Sequence, residues 1–102
     1  MAFKPPKSPS LTFERAETMA AEGLAFLAEE PNRLAQFLTA TGSDIETVRT
    51  AAGSREVLTA VLEHLERDES LLLVFAASRG LMPQSISPAL AVLQRGPDGR
   101  RR

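Results

Sequence analysis

The sequence predicts an all-α fold: a compact six-helix domain of two pseudo-repeated three-helix units, at about 11–52 and 54–94. Three observations point there. No run of β-branched residues alternates with polar ones, and no Asn-Gly turn joins two such runs, so strand signals are missing. Apolar residues recur at three- and four-residue spacing along most of the chain. The chain also matches itself at a shift of 38 positions, where Leu24 falls on Leu62, Leu27 on Leu65, Leu34 on Leu72, Phe37 on Phe75, Gly42 on Gly80 and Val48 on Ile86. Chance Leu matches are common in helical sequences. A Phe, a Gly and a β-branched residue in one register are harder to obtain by chance.

Thr12 is the expected N-cap of the first helix, which runs to about Glu29. Phe13, Ala16, Ala20, Gly23 and Leu27 share its apolar face. A mid-helix glycine costs about 1 kcal/mol against Ala, which a close helix crossing at Gly23 would offset. Pro31 stops this helix and suits the first turn of the second. There Leu34, Phe37 and Leu38 form the expected buried stripe. Gly42 is placed to end the helix in a left-handed turn. Ser43-Asp44-Ile45-Glu46 reads as a capping box, with Ser43 as N-cap of a third helix at about 44–52.

Ser54 caps a fourth helix, at about 55–67, whose wide apolar face is Val57, Leu58, Val61, Leu62 and Leu65. Asp68 caps a fifth, at about 69–79. From Leu71 to Ala77 that helix is apolar all round, so it is expected to be the most buried element, with the two cores merging around helices two and five. Gly80 closes it as Gly42 closes the second. Pro83 opens the last segment, which carries Ile86, Leu90 and Leu93. Pro88 either kinks this helix or starts a new one behind Ser87.

A length of 102 residues bounds the chain to one domain, expected over 11–94. Residues 1–10 are Pro- and Ser-rich and residues 95–102 are basic, and both read as disordered tails. The first ten residues lack the apolar stretch of a signal peptide. The longest apolar run, Leu71–Ala77, is too short to span a bilayer, so no membrane partner is expected. The absence of cysteine excludes disulfides, thiolate metal sites and a Cys nucleophile, and fits a cytoplasmic location. Residues 11–94 hold twelve acids against six arginines, a net of −6. An acidic body argues against nucleic acid as a partner, since Lys and Arg must replace the counterions of a duplex.

No catalytic, cofactor or metal constellation stands out. His64 is the single histidine. It lies one helical turn from Asp68, which allows a small metal-binding or enzymatic reading around His64 and the acids of 63–69. Its repeat mate is the apolar Phe26, so His64 is expected at the rim of the core, with a ring nitrogen bonded to water or a nearby carboxylate. Residues 34–51 have the helix, glycine turn and second helix of a helix-turn-helix-like DNA-binding regulator. Against that, the would-be recognition helix opens with Asp44 and Glu46, which repel phosphates, and the same spacing recurs at Gly80.

The remaining lead is apolar side chains in exposed-looking places: Phe3, Ile45, Leu81 and Met82. The expected function is a non-enzymatic helical protein-interaction module or adaptor. Its expected binding surface is Ile45, Leu81 and Met82 with Arg49 and Arg79. The partner is an unidentified protein, and a homodimer would hide the same residues.

Three motifs bear on family. They are L-A-F-L-A-x-x-P-x-R-L-x-x-F-L from Leu24 to Leu38, V-L-x-x-V-L-E-H-L from Val57 to Leu65, and D-E-x-L-L-x-x-F-A from Asp68 to Ala76. Together they resemble a small alphaproteobacterial family of all-helical proteins, a domain of unknown function, over about residues 11–93. The resemblance implies an all-helical cytoplasmic protein and supplies no catalytic residue. Pro88 departs from the uninterrupted last helix that it implies.

Overall fold

The computed structural model describes residues 11–97. Six α-helices run in order: α1 (Phe13–Ala28), α2 (Pro31–Thr41), α3 (Ile45–Thr50), α4 (Arg55–Glu66), α5 (Glu69–Arg79) and α6 (Ile86–Arg95), with a 3₁₀ turn at Pro83–Ser85 before the last. There is no strand among the described residues. The expected tail at 1–10 and residues 98–102 of the one expected at 95–102 lie outside them, whereas Arg95 belongs to α6.

Most helix ends are set by local chemistry. The Thr12 hydroxyl accepts from the Arg15 N–H at 3.0 Å, Ser54 accepts from Val57 N–H at 3.2 Å and Asp68 accepts from Leu71 N–H at 3.2 Å. Each satisfies an N–H that the first turn of a helix leaves unpaired. Gly42 and Gly80 end α2 and α5 with φ of 70° and 69°. The residue after each glycine donates back across the turn, Ser43 to Leu38 O at 3.1 Å and Leu81 to Ala76 O at 2.9 Å. Both ends therefore have the six-to-one bond of a Schellman motif.

The start of α3 differs from expectation. Its N-cap is Asp44, which accepts from Thr47 N–H at 2.8 Å. The Ser43 N–H is already committed to Leu38 O, so it cannot take the reciprocal bond that a Ser43–Glu46 capping box requires. The helix is also shorter than the predicted 44–52. Pro88 neither kinks α6 nor starts it. It is the third residue of α6, where no intrahelical N–H bond is lost, and Ser87 lies inside the helix.

The core sits where α1, α4 and α6 pack against one another. Ala16, Ala20 and Leu27 of α1, Val61, Leu62 and Leu65 of α4, and Ile86, Ala89 and Leu93 of α6 are all fully buried. Gly23 is the point of closest approach. A Cβ there would lie 2.9 Å from Val61 Cγ1 and 3.1 Å from Leu65 Cδ1, so the α1–α4 crossing depends on its absence.

Helix α5 is not the central element. Phe75 and Ala76 are buried, but Leu73 and Val74 are 47% and 49% exposed. It packs on one side only, against α4, α1 and the 3₁₀ turn, and nothing among the described residues covers its outer face. In α2 only Phe37 is buried, with Leu34 and Leu38 partly covered. The third helices are not equivalent either: α6 packs on both α1 and α4, while α3 has no comparable contact with either. This packing does not reproduce a pseudo-twofold over two full three-helix units.

Candidate protein-interaction groove

Leu11, Arg15 and Met19 are four residues apart and share the same side of the α1 end of the molecule. Opposite them the chain leaves α5 through the left-handed Gly80. That turn sends Leu81 inward, half-buried against the core, and leaves Met82 outward at 61% exposure. Ser85 and Pro88 complete the lining. Together these residues line a groove of about 370 Å³ whose walls are mostly apolar. Arg15 is its single charged lining residue, and Arg15 makes no ion pair among the described residues.

Arg79 borders a smaller adjoining cleft with Arg15, Thr18 and Glu22. Its guanidinium turns back toward the helix packing. Nη2 donates to Glu29 Oε2 at 3.0 Å, and Cζ lies 5.8 Å from the Phe26 ring centroid. Arg33 covers the same ring at 4.0 Å and donates to the Phe26 carbonyl at 3.2 Å. Arg79 is thus largely a clip between α5 and the end of α1.

The five expected surface residues divide into two groups. Arg79, Leu81 and Met82 come together around Gly80. Ile45, 42% exposed, and Arg49, paired with Glu46 at 3.5 Å, lie on α3 and border neither cleft. A different groove of about 400 Å³ runs between α2, α3 and α4. Its apolar floor is Phe37, Val48, Val57 and Ala60, and its rim carries the hydroxyls of Thr41, Ser43, Thr47 and Ser54. Two of those hydroxyls are already used, Thr41 toward Phe37 O at 2.9 Å and Ser54 as the α4 cap.

His64 does sit at the rim of the core, edge-on to Phe37 with centroids 5.4 Å apart. Its Nε2 is buried and bonds to no protein group among the described residues. Asp68, four residues along the chain, uses Oδ1 to cap the α5 N-terminus. Burial holds the His64 pKa below its ordinary value, opposed by the attraction of Asp68. Among the described residues no three His, Asp or Glu side chains gather as a metal-binding group. Helix α3, which the helix-turn-helix alternative would make the recognition helix, has six residues and shows Glu46 and Arg49 to solvent.

Sequence reasoning misses Leu11, Arg15, Met19 and Pro88, because a groove lined from two distant segments leaves no local pattern. It also misses the outer face of α5. The signal is present in the all-round apolar run, which marks a helix lacking cover as readily as a buried one.

The fold and groove define a small all-α domain with an apolar surface cleft and no assembled reactive group among the described residues. The model of the family described as "Protein of unknown function (DUF3572)" matches residues 13–96, and the chain belongs to this family. No curated protein and no solved structure matches the chain. No helix among the described residues is long and apolar enough to cross a membrane.

Proposed function

We propose that this protein is an interaction module that binds a protein partner through the groove between α1 and the α5–α6 connection. One observation carries the reading: Met82, 61% exposed, lines a mostly apolar groove together with the buried Met19 and the half-buried Leu11 and Leu81. An isolated exposed apolar residue needs no explanation. One set beside a concave apolar surface adds to the free energy of association when covered. Such a groove offers shape and burial and no group placed to make or break a bond.

Met82→Glu is the discriminating variant, since Met82 contributes little to the core and the fold should tolerate a charge there. Tagged wild-type and variant protein would be used to capture partners from native lysate at low salt, with and without nuclease. The wild type should retain a stoichiometric, nuclease-resistant protein that the folded variant loses. A folded variant that keeps every partner would remove the groove from consideration. Recovery of nucleic acid alone would favour the surface of 34–51 instead.

A further inference from the structure

Resting on that reading, we infer that the occupant of the groove is an amphipathic helix with an acidic residue beside its apolar anchors. Two features of the groove lead there. The described residues include no strand, so no free edge offers backbone hydrogen bonds to an extended peptide. Without such an edge, the groove favours an occupant that satisfies its own backbone, as a helix does. Apolar residues three or four apart on such a helix can enter between Met19 on one wall and Leu81 and Met82 on the other.

The charge of the groove sets the second requirement. Residues 11–94 carry twelve acids and six arginines, yet the one charge lining this groove is Arg15. Arg33, Arg49, Arg55 and Arg79 are each engaged within the protein, in contact with Phe26, Glu46, the Leu93 carbonyl and Glu29 respectively, and Arg67 lines neither this groove nor the adjoining cleft. Arg15 is exposed and has no such partner among the described residues. A carboxylate on the occupant pairs with it at the groove's edge, while the acidic remainder of the surface repels the same ligand elsewhere. The charge thereby selects place and orientation more than it adds affinity.

A displayed library of randomised 16-residue helix-forming peptides, selected on the intact chain, is the probe; about 16 residues give a helix of roughly four turns. Arg15→Glu and Met82→Glu are the two variants. An acid at position 15 lies in the first turn of α1, where the helix dipole favours it, so this variant should fold. The inference expects enriched peptides with Asp or Glu next to a pair of apolar residues. Their binding should be lost on Met82→Glu and fall about fivefold on Arg15→Glu, the scale of one partly exposed ion pair. Peptides that need Met82 but show no acidic preference, or ignore Arg15→Glu, would overturn this inference and leave the groove reading standing. Peptides indifferent to Met82→Glu, or no enrichment at all, would overturn both.

Discussion

Residues 31–50 and 69–95 make the same turn and then part ways. Gly42 and Gly80 have φ of 70° and 69°, and the residue after each closes the same bond back into its helix. The aromatic contacts correspond too. Phe75 of α5 meets Phe26 of α1 at 5.3 Å, and Phe37 of α2 meets His64 of α4 at 5.4 Å. Beyond the glycines the segments differ. After Gly80, Pro83 starts a 3₁₀ turn that runs directly into a ten-residue helix with Ile86, Ala89 and Leu93 fully buried. After Gly42, Asp44 caps a six-residue helix that buries only Val48. A turn is decided locally, whereas the depth to which the next helix sinks depends on how much apolar surface that helix brings. Met82, the most exposed apolar residue of the proposed groove, follows the turn whose next helix is deeply buried.

The largest test of this asymmetry is removal of the two aromatic anchors. Phe75 is fully buried and lines neither the α1–α5 groove nor the one beside α3, so Phe75→Ala should cost about 3–5 kcal/mol and leave this small domain marginal or unfolded. Phe37 is almost as deeply buried but lines the open groove between α2, α3 and α4. The space left by Phe37→Ala can collapse or hydrate, and its cost should be smaller by about 1 kcal/mol. Denaturant midpoints for the two variants give the comparison directly. A larger loss at Phe37 would mean that α2, not α5, is the better anchored helix.

The glycines give a finer test. A Cβ at either position would meet nothing within 4 Å, so any cost of Gly42→Val or Gly80→Val is backbone strain. That strain is on the order of 1–2 kcal/mol for a left-handed residue. The full amount should appear at Gly80, because α6 cannot leave the core. At Gly42 the chain can relieve the strain by undocking α3, which limits the cost. Thermal unfolding of both variants beside Gly53→Ala, whose φ is not left-handed, should rank them Gly80, Gly42, Gly53. Equal costs at Gly42 and Gly80 would show α3 to be held as firmly as α6.

Legibility in the sequence divides along the same line between local and tertiary. The caps at Thr12, Ser54 and Asp68, the two left-handed glycines and Pro31 are signals within three or four residues, and all are legible. The close crossing at Gly23 is legible because a mid-helix glycine needs a compensating reason. The α3 cap is misplaced by one position, since Ser43 and Asp44 are both good caps and only the Schellman bond of the preceding turn removes Ser43 from contention. The burial of α5 is misjudged because periodicity reports what a helix could bury, not what is available to cover it. Half of the groove is legible as exposed apolar residues after Gly80. The other half, on α1, becomes adjacent only through packing.

The smallest effect concerns the one place where the two aromatic pairs differ in chemistry. His64 stands where Phe26 stands in the other pair, and burial makes its charged form unfavourable in the folded protein. The folded pKa is therefore depressed below the ordinary histidine value of about 6.5. The unfolded chain then binds the proton first as pH falls. The stability that the neutral ring contributes is fully present above about pH 6.5 and is lost as pH drops through the folded pKa. Asp68 works against this by attracting the imidazolium, which keeps the effect small. His64→Phe restores the pairing seen at Phe26 and removes the titrating group. Its Tm should stay flatter than that of the wild type between about pH 6.5 and 5, above the range where most carboxylates titrate. Parallel Tm profiles would mean that the ring reaches solvent easily in the folded state, and the Phe37–His64 contact would then be a looser counterpart of Phe75–Phe26 than the distances imply.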